Sequence, residues 1–165
     1  MIVGNCAAWL IYGLLVSNPY IVLSNAPGLL CGLFMVLSGA SIGNAAQRKL
    51  LERLVLGMSF GLICSGGVIS FGGLTAEGAA TLAVTVANVF TFAFYAAPLA
   101  GLSQVLKARS SASMVLPMIV ASWLNAALWT VYGLAISNLG VWLPNSFGVF
   151  LATLQLAIFA AFKGA

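Results

Sequence analysis

Histidine and aspartate are absent from this 165-residue chain, and its only acids are Glu52 and Glu77. General acid–base and nucleophilic catalysis draw on such side chains, so the composition argues against an enzyme. The three cysteines, Cys6, Cys31 and Cys64, sit singly inside apolar stretches. They are too dispersed for a metal site and read as small core fillers, so neither a metal nor a cofactor is expected. No glycine-rich phosphate loop follows a strand, and no basic surface reads as a nucleic-acid footprint. The first residues carry no charged n-region of a cleavable signal and run straight into an apolar stretch. Charge itself is scarce: 5% of residues are charged, against about 25% in a soluble domain. With 62% hydrophobic residues and a mean hydropathy of +1.14, the chain could not cover its own surface in water.

What is there instead is a series of apolar runs of about 17–25 residues, the length that crosses ~30 Å of hydrocarbon. Six spans can be drawn, at 2–17, 21–43, 50–72, 79–105, 114–136 and 142–162. Turn-forming or charged breaks separate them: "SNPY" at Ser17, "NAAQRKLLER" at Asn44, "GGLTAEG" at Gly72, "KARSSAS" at Lys107 and "SNLG" at Ser137. The runs exceed strand length and lack the ten-residue alternation of a membrane barrel. In lipid each backbone polar group must be satisfied internally, so the spans are expected to be helices. The fold class is therefore an all-α membrane protein. All six cations (Arg48, Lys49, Arg53, Lys107, Arg109 and Lys163) fall on one side of this map. The positive-inside rule then places both chain ends in the cytoplasm, in a multi-pass protein of the plasma membrane or an endomembrane.

The chain also repeats itself. "NCAAWLIYG" begins at Asn5, and "NAALWTVYG" begins at Asn125. Aligned without a gap, 5–28 and 125–148 agree at eleven of 24 positions, where chance gives about two. The identities include Asn5/Asn125, Trp9/Trp129, Tyr12/Tyr132, Gly13/Gly133, Asn18/Asn138, Asn25/Asn145 and Gly28/Gly148. Four spans separate the copies, so both face the same way and form a parallel repeat. Transporters often place a substrate near mid-membrane between such repeats.

Asn5 and Trp9 share one helix face, as do Asn125 and Trp129, and Asn25 and Asn145 lie near the start of the following helix. The copies would bring four amides and two indoles toward one axis. Amides hydrogen-bond the hydroxyls of a neutral polyol, and an indole offers a flat apolar face to sugar C–H groups. Taken singly, a membrane asparagine is interhelical glue worth ~1 kcal/mol, and a tryptophan is an interfacial anchor. Joint recurrence at constant spacing favours a binding role for Trp9, Trp129, Asn25 and Asn145. For Asn5 and Asn125 both readings stay open. Tyr12-Gly13 and Tyr132-Gly133 read as packing.

With these residues in view, the chain resembles the SWEET sugar transporters, the saliva/nodulin-type bidirectional facilitators. The resemblance covers essentially the whole chain and is strongest over 91–162, in "FYAAPLAGLSQVLKARSSASM", "WTVYG", "PNSFG" and "LQLAIF". It implies two parallel three-helix bundles joined by a linker helix, seven spans in all. It also implies passive bidirectional uniport of a mono- or disaccharide by alternating access. On this pattern residues 1–43 are an incomplete first bundle, holding helices 2 and 3 without helix 1. Residues 44–78 are the linker helix with its loops, and 79–165 are a complete second bundle. Asn25 and Asn145 match the pair of pocket asparagines, and Trp9 and Trp129 match pocket positions on the second and sixth helices. Asn5 and Asn125 lie one turn before them, and Phe94 matches a cavity-facing position on the fifth helix. Its bulk, with asparagine at 5 and 125, favours a cramped pocket and a hexose. The partners implied are a neutral sugar, the lipid bilayer and further copies in a homo- or hetero-oligomer.

The chain departs from the family pattern in two places. Of the family's hinge prolines, Pro98 fits the fifth helix, whereas Val115 occupies the sixth-helix position and Pro117 stands two residues on, a shifted hinge. Without a first helix, the Asn5/Trp9 face is expected to lie open to lipid or a partner, at the cost of unpaired amides. A truncated gene, a short form completed by another subunit, and a non-transporting fragment or assembly subunit are the alternatives to a complete carrier. Amino-acid carriers with a proline–glutamine loop are not matched, because Gln104 follows Ser103. Proton-driven carriers place a titratable side chain in the membrane, and Glu52 instead stands beside Arg48, Lys49 and Arg53 at its edge. Sugar movement through this chain should persist when an uncoupler collapses the proton gradient, and uptake abolished by the uncoupler would refute passive transport.

Overall fold

Side-chain caps and prolines mark the starts of most of the helices. The computed structural model describes residues 1–162, so the tail cation Lys163 lies outside the described residues. Six helices run in order: α1 (Ile2–Leu15), α2 (Pro19–Ile42), α3 (Ala45–Phe71), α4 (Ala76–Ala108), α5 (Leu116–Ala135) and α6 (Leu139–Ala161). Each span drawn from the sequence corresponds to one of them, and the largest offset is at α3, which begins at Ala45 rather than residue 50. The last five helices are long and apolar enough to cross a membrane. α1 has 14 residues, about 21 Å at 1.5 Å per residue, which is shorter than the hydrocarbon core.

The first four N–H groups of a helix have no partner within it, and side-chain oxygens supply one. The Asn18 Oδ1 accepts from the backbone N–H of Tyr20 at 3.1 Å and of Ile21 at 3.2 Å, with Pro19 in the first turn where its missing N–H costs nothing. Asn138, the matching residue of the second repeat, accepts from Val141 N–H at 3.2 Å. Asn44 and Gln47 form a reciprocal capping box at the head of α3. The Thr75 hydroxyl accepts from Gly78 N–H at 3.1 Å.

The two repeat copies turn in the same way. Ser17 and Ser137 both take a left-handed conformation, with φ of 52° and 51°. The next N–H, of Asn18 or Asn138, donates back to the carbonyl of Gly13 or Gly133, at 2.8 Å in both. Gly13 and Gly133 then let the following helix pass close. A Cβ on Gly13 would lie 2.9 Å from Ile21 Cγ2, and one on Gly133 would lie 2.6 Å from the Trp142 backbone nitrogen. Gly28 and Gly148 mark a second crossing, where an added Cβ would meet Cys6 in the first copy and Ala126, the matching residue, in the second.

The chain divides into two compact units, Met1–Phe94 and the part from Tyr95 onward. In the first, α1 packs on α2, with α3 against both. In the second, α5 packs on α6. The helix α4 is continuous through both, so the division between these units falls inside it. The reason is local: the N-terminal half of α4 is hydrogen-bonded to α1 through Thr91. Its buried stripe there is made of small residues at a four-residue interval, Ala79, Ala83, Ala87 and Thr91, which permits close helix approach.

The glycine crossings can be tested by stability. Gly133→Ala should lower the melting temperature in detergent, by the equivalent of about 1–3 kcal/mol, because backbone rather than a flexible side chain is in the way. Gly57→Ala meets nothing within 4 Å and should be neutral or stabilising by up to ~1 kcal/mol. Equal effects would remove the packing account.

Candidate functional site

Each repeat sets its tryptophan against a tyrosine three residues on, on the same helix face. The Trp9 and Tyr12 rings meet edge to face at 5.7 Å and 80°, and Trp129 and Tyr132 do so at 5.4 Å and 89°, the arrangement the ring quadrupoles favour. The tyrosines of the Tyr-Gly pairs therefore orient the indoles, besides packing.

Asn25 and Asn145 are also held alike. The Nδ2 of Asn25 donates to the Ile21 carbonyl at 2.8 Å, and that of Asn145 donates to the Val141 carbonyl at 2.7 Å. A backbone carbonyl only accepts, so the amide nitrogen must face it. Each side chain is thereby anchored to the preceding turn of its own helix through its nitrogen, and its Oδ1 takes no part in that bond. Both residues are half-buried. The anchoring turns are among the most buried points of the chain, since Ile21 and Val141 are each 1% exposed.

The Asn5/Trp9 face is not open, contrary to the expectation drawn from the sequence. The Trp9 indole N–H donates to the Thr91 hydroxyl at 2.9 Å, and that hydroxyl lies 2.8 Å from Asn5 Oδ1 and 2.9 Å from the Ala87 carbonyl. Trp9 and Thr91 are buried, at 7% and 6% exposure. The N-terminal half of α4 thus covers the face and pairs its polar groups. Thr91 escaped notice in the sequence because a threonine in a membrane helix ordinarily bonds its own i−4 carbonyl and needs no other explanation. The signal that would have found it is the Ala79–Ala83–Ala87–Thr91 stripe. One turn earlier, the buried Oδ1 of Asn88 has no hydrogen-bond partner among the described residues, and such an atom can accept from a hydroxyl.

In the second unit Trp129 is half-buried and Asn125 exposed. Phe94, 39% exposed, is the last residue of the first unit. Pro98 stands inside α4, so the Phe94 carbonyl loses its helical donor. Pro117 is different, because it occupies the first turn of α5 and interrupts no hydrogen bond within a helix. Two further prolines, Pro27 in α2 and Pro144 in α6, do stand inside helices. The Pro144 carbonyl accepts from the Tyr95 hydroxyl at 3.4 Å. Among the described residues no group of three or more histidines, cysteines or acids could hold a metal.

Known proteins are similar to this chain in sequence and in fold. The family model described as "Sugar efflux transporter for intercellular exchange" matches residues 81–165. The chain is 30% identical over 156 residues to the sugar transporter SWEET1 of Caenorhabditis elegans, covering 92% of this chain and 48% of that protein. It is 30% identical over 163 residues to SWEET1 of Drosophila pseudoobscura pseudoobscura, covering 96% and 70%. With the bidirectional sugar transporter SWEET4 of rice the identity is 28% over 162 residues, covering 96% and 62%. The chain therefore spans from about half to about two thirds of these relatives' length. The 3.7 Å structure of a eukaryotic SWEET transporter is similar in fold, with a TM-score of 0.86 at 21% identity over 99% of this chain and 77% of that one.

If the asparagine side chains add only a second bond onto carbonyls already paired in the helix, Asn25→Leu and Asn145→Leu should each change stability by no more than ~1 kcal/mol. Trp9→Ala should cost about 3–5 kcal/mol. Thermal melting in detergent separates the two, and a large loss in both asparagine variants would make them scaffold.

Proposed function

Because the chain belongs to the SWEET family of sugar transporters, we propose that it carries a neutral mono- or disaccharide down its gradient through an integral multi-pass membrane protein. The observation that carries this reading is the pair of anchored asparagines. Asn25 and Asn145 offer the same acceptor, held by the same i−4 bond, in both copies of the repeat. A pocket lined with acceptors takes a ligand that donates, and a sugar presents hydroxyl donors all round its ring.

The indole faces of Trp9 and Trp129 suit the apolar C–H patches of a pyranose. Asn5, Asn125 and Phe94 are the further residues assigned to sugar binding, and the bulk of Phe94 favours a hexose. No charged group is required by such a ligand, and binding that is weak and duplicated suits exchange in either direction. Alternating access then needs a compliant point between the two units. Pro98 supplies it, since the carbonyl it frees belongs to Phe94, where the first unit ends. Pro117, at a helix start, acts by setting how the Ser110–Val115 segment enters α5. The basic loops and both chain ends lie in the cytoplasm, and copies assemble into an oligomer.

The test is radiolabelled glucose and sucrose counterflow in proteoliposomes, comparing this chain with Asn145→Ala. Saturable glucose counterflow that falls at least about tenfold in the variant, the loss of one good hydrogen bond, is expected. A well-folded preparation that moves neither sugar would overturn the carrier reading in favour of an assembly subunit.

A further inference from the structure

We propose that Thr91 is a positioning residue of the sugar site, holding the Trp9 indole and the Asn5 amide of α1 in one orientation from the neighbouring helix α4. The proposal rests on the carrier reading above and adds a residue to it.

The argument begins with what each group can still do. The Thr91 hydroxyl has one proton and two lone pairs. One lone pair accepts from Trp9 Nε1, and the proton is placed between Asn5 Oδ1 and the Ala87 carbonyl, at 2.8 and 2.9 Å. The Trp9 N–H is therefore committed within the protein, and with Trp9 7% exposed only a sliver of the ring is left for a sugar to meet. Tyr12 meets that ring edge to face at 5.7 Å. Held at its nitrogen by Thr91 and at its ring by Tyr12, the indole cannot rotate freely about its side-chain bonds. The part of the ring that stays exposed is then held in one place against the sugar C–H groups. Asn5, its Oδ1 engaged, presents its amide hydrogens, complementary to the acceptors of Asn25 and Asn145. Buried in a low-dielectric site, these bonds hold more firmly than in water.

The second copy is set differently, since Trp129 is half-buried and Asn125 exposed. The two half-sites are thus chemically alike but unequally fixed, and the more tightly held one depends on Thr91. Because α4 also carries Pro98, the residue that orients Trp9 sits on the helix that the transport cycle must bend.

Thr91→Val keeps the shape and removes the hydroxyl, whereas Thr91→Ser keeps the hydroxyl. With 15N-labelled indoles in nanodiscs, the Trp9 N–H resonance is identified by its loss in Trp9→Phe. In Thr91→Val it should shift and exchange with deuterium about tenfold faster, the factor for a hydrogen bond of ~1.4 kcal/mol. In Thr91→Ser it should stay in place. In glucose counterflow, Thr91→Val should raise KM about five- to tenfold at similar Vmax, and Thr91→Ser should match the parent. In a Trp9→Phe background, adding Thr91→Val should change KM little, because the shared bond is already gone.

An unmoved Trp9 resonance in Thr91→Val, or equal behaviour of the serine and valine variants, would overturn the proposal, as would a fall in Vmax alone. If no version shows counterflow while the resonance behaves as expected, it is the carrier reading that fails. Thr91 then remains the residue that orients Trp9.

Discussion

Intrahelical satisfaction of polar groups governs this molecule. In an apolar surround a backbone carbonyl or side-chain hydroxyl cannot turn to water, so it bonds within its own helix or across to a neighbour. The serines and threonines follow the first course almost everywhere. Ser24, Thr85, Thr130, Ser146 and Thr153 each donate to the carbonyl four residues back, at 2.7–2.9 Å. Asn25 and Asn145 do the same with an amide. That habit converts a flexible side chain into a fixed one, and it leaves the amide oxygen as the group on offer. The chemistry of the site follows from the same rule that permits the helices.

Against this background the bonds that join separate elements stand out. Trp9 to Thr91 to Asn5 ties α1 to α4 inside the first unit. Tyr95 to the Pro144 carbonyl ties α4 to α6 inside the second, and Ser111 to the Phe162 carbonyl ties the loop before α5 to the end of α6. Trp123 to the Thr153 hydroxyl also ties α5 to α6, and Arg48 to the Ser41 carbonyl ties α3 to α2; of these links, the ones through Thr91 and Tyr95 involve α4. Among the described residues, the one helix that passes through both units takes part in such links on either side of residue 94, and it carries a proline just past the point where the units divide.

The twofold repeat has two meanings that a bare alignment merges. Gly13/Gly133, Ser17/Ser137 and Asn18/Asn138 recur because a tight helix–turn–helix needs a close crossing, a left-handed residue and a cap. Tyr12/Tyr132 recur because they set an indole edge. What remains after these structural demands are met is Trp9/Trp129, Asn5/Asn125 and Asn25/Asn145, the pairs proposed to meet the sugar, of which Trp9 and Asn5 spend part of their hydrogen-bonding capacity on Thr91. Subtracting the scaffold sharpens the reading of the site.

Hydropathy and charge determined the number, type and bounds of the helices, because the bilayer imposes length and composition on each span independently of its neighbours. The repeat and its Asn/Trp chemistry were equally legible, since identity at constant spacing requires no knowledge of contacts. Other features depended on which helix lies against which. The covering of the Asn5/Trp9 face and the contacts of Thr91 come from packing between residues more than 80 positions apart in sequence, as in the separation of 82 between Trp9 and Thr91. Pro117 shows the same limit at short range. Two residues from the expected hinge, it falls at a helix start, and only the observed boundary of α5 decides whether a proline breaks a hydrogen bond or merely begins a helix. Local composition sets what each segment is, and tertiary contact sets which of its polar groups remain free to act.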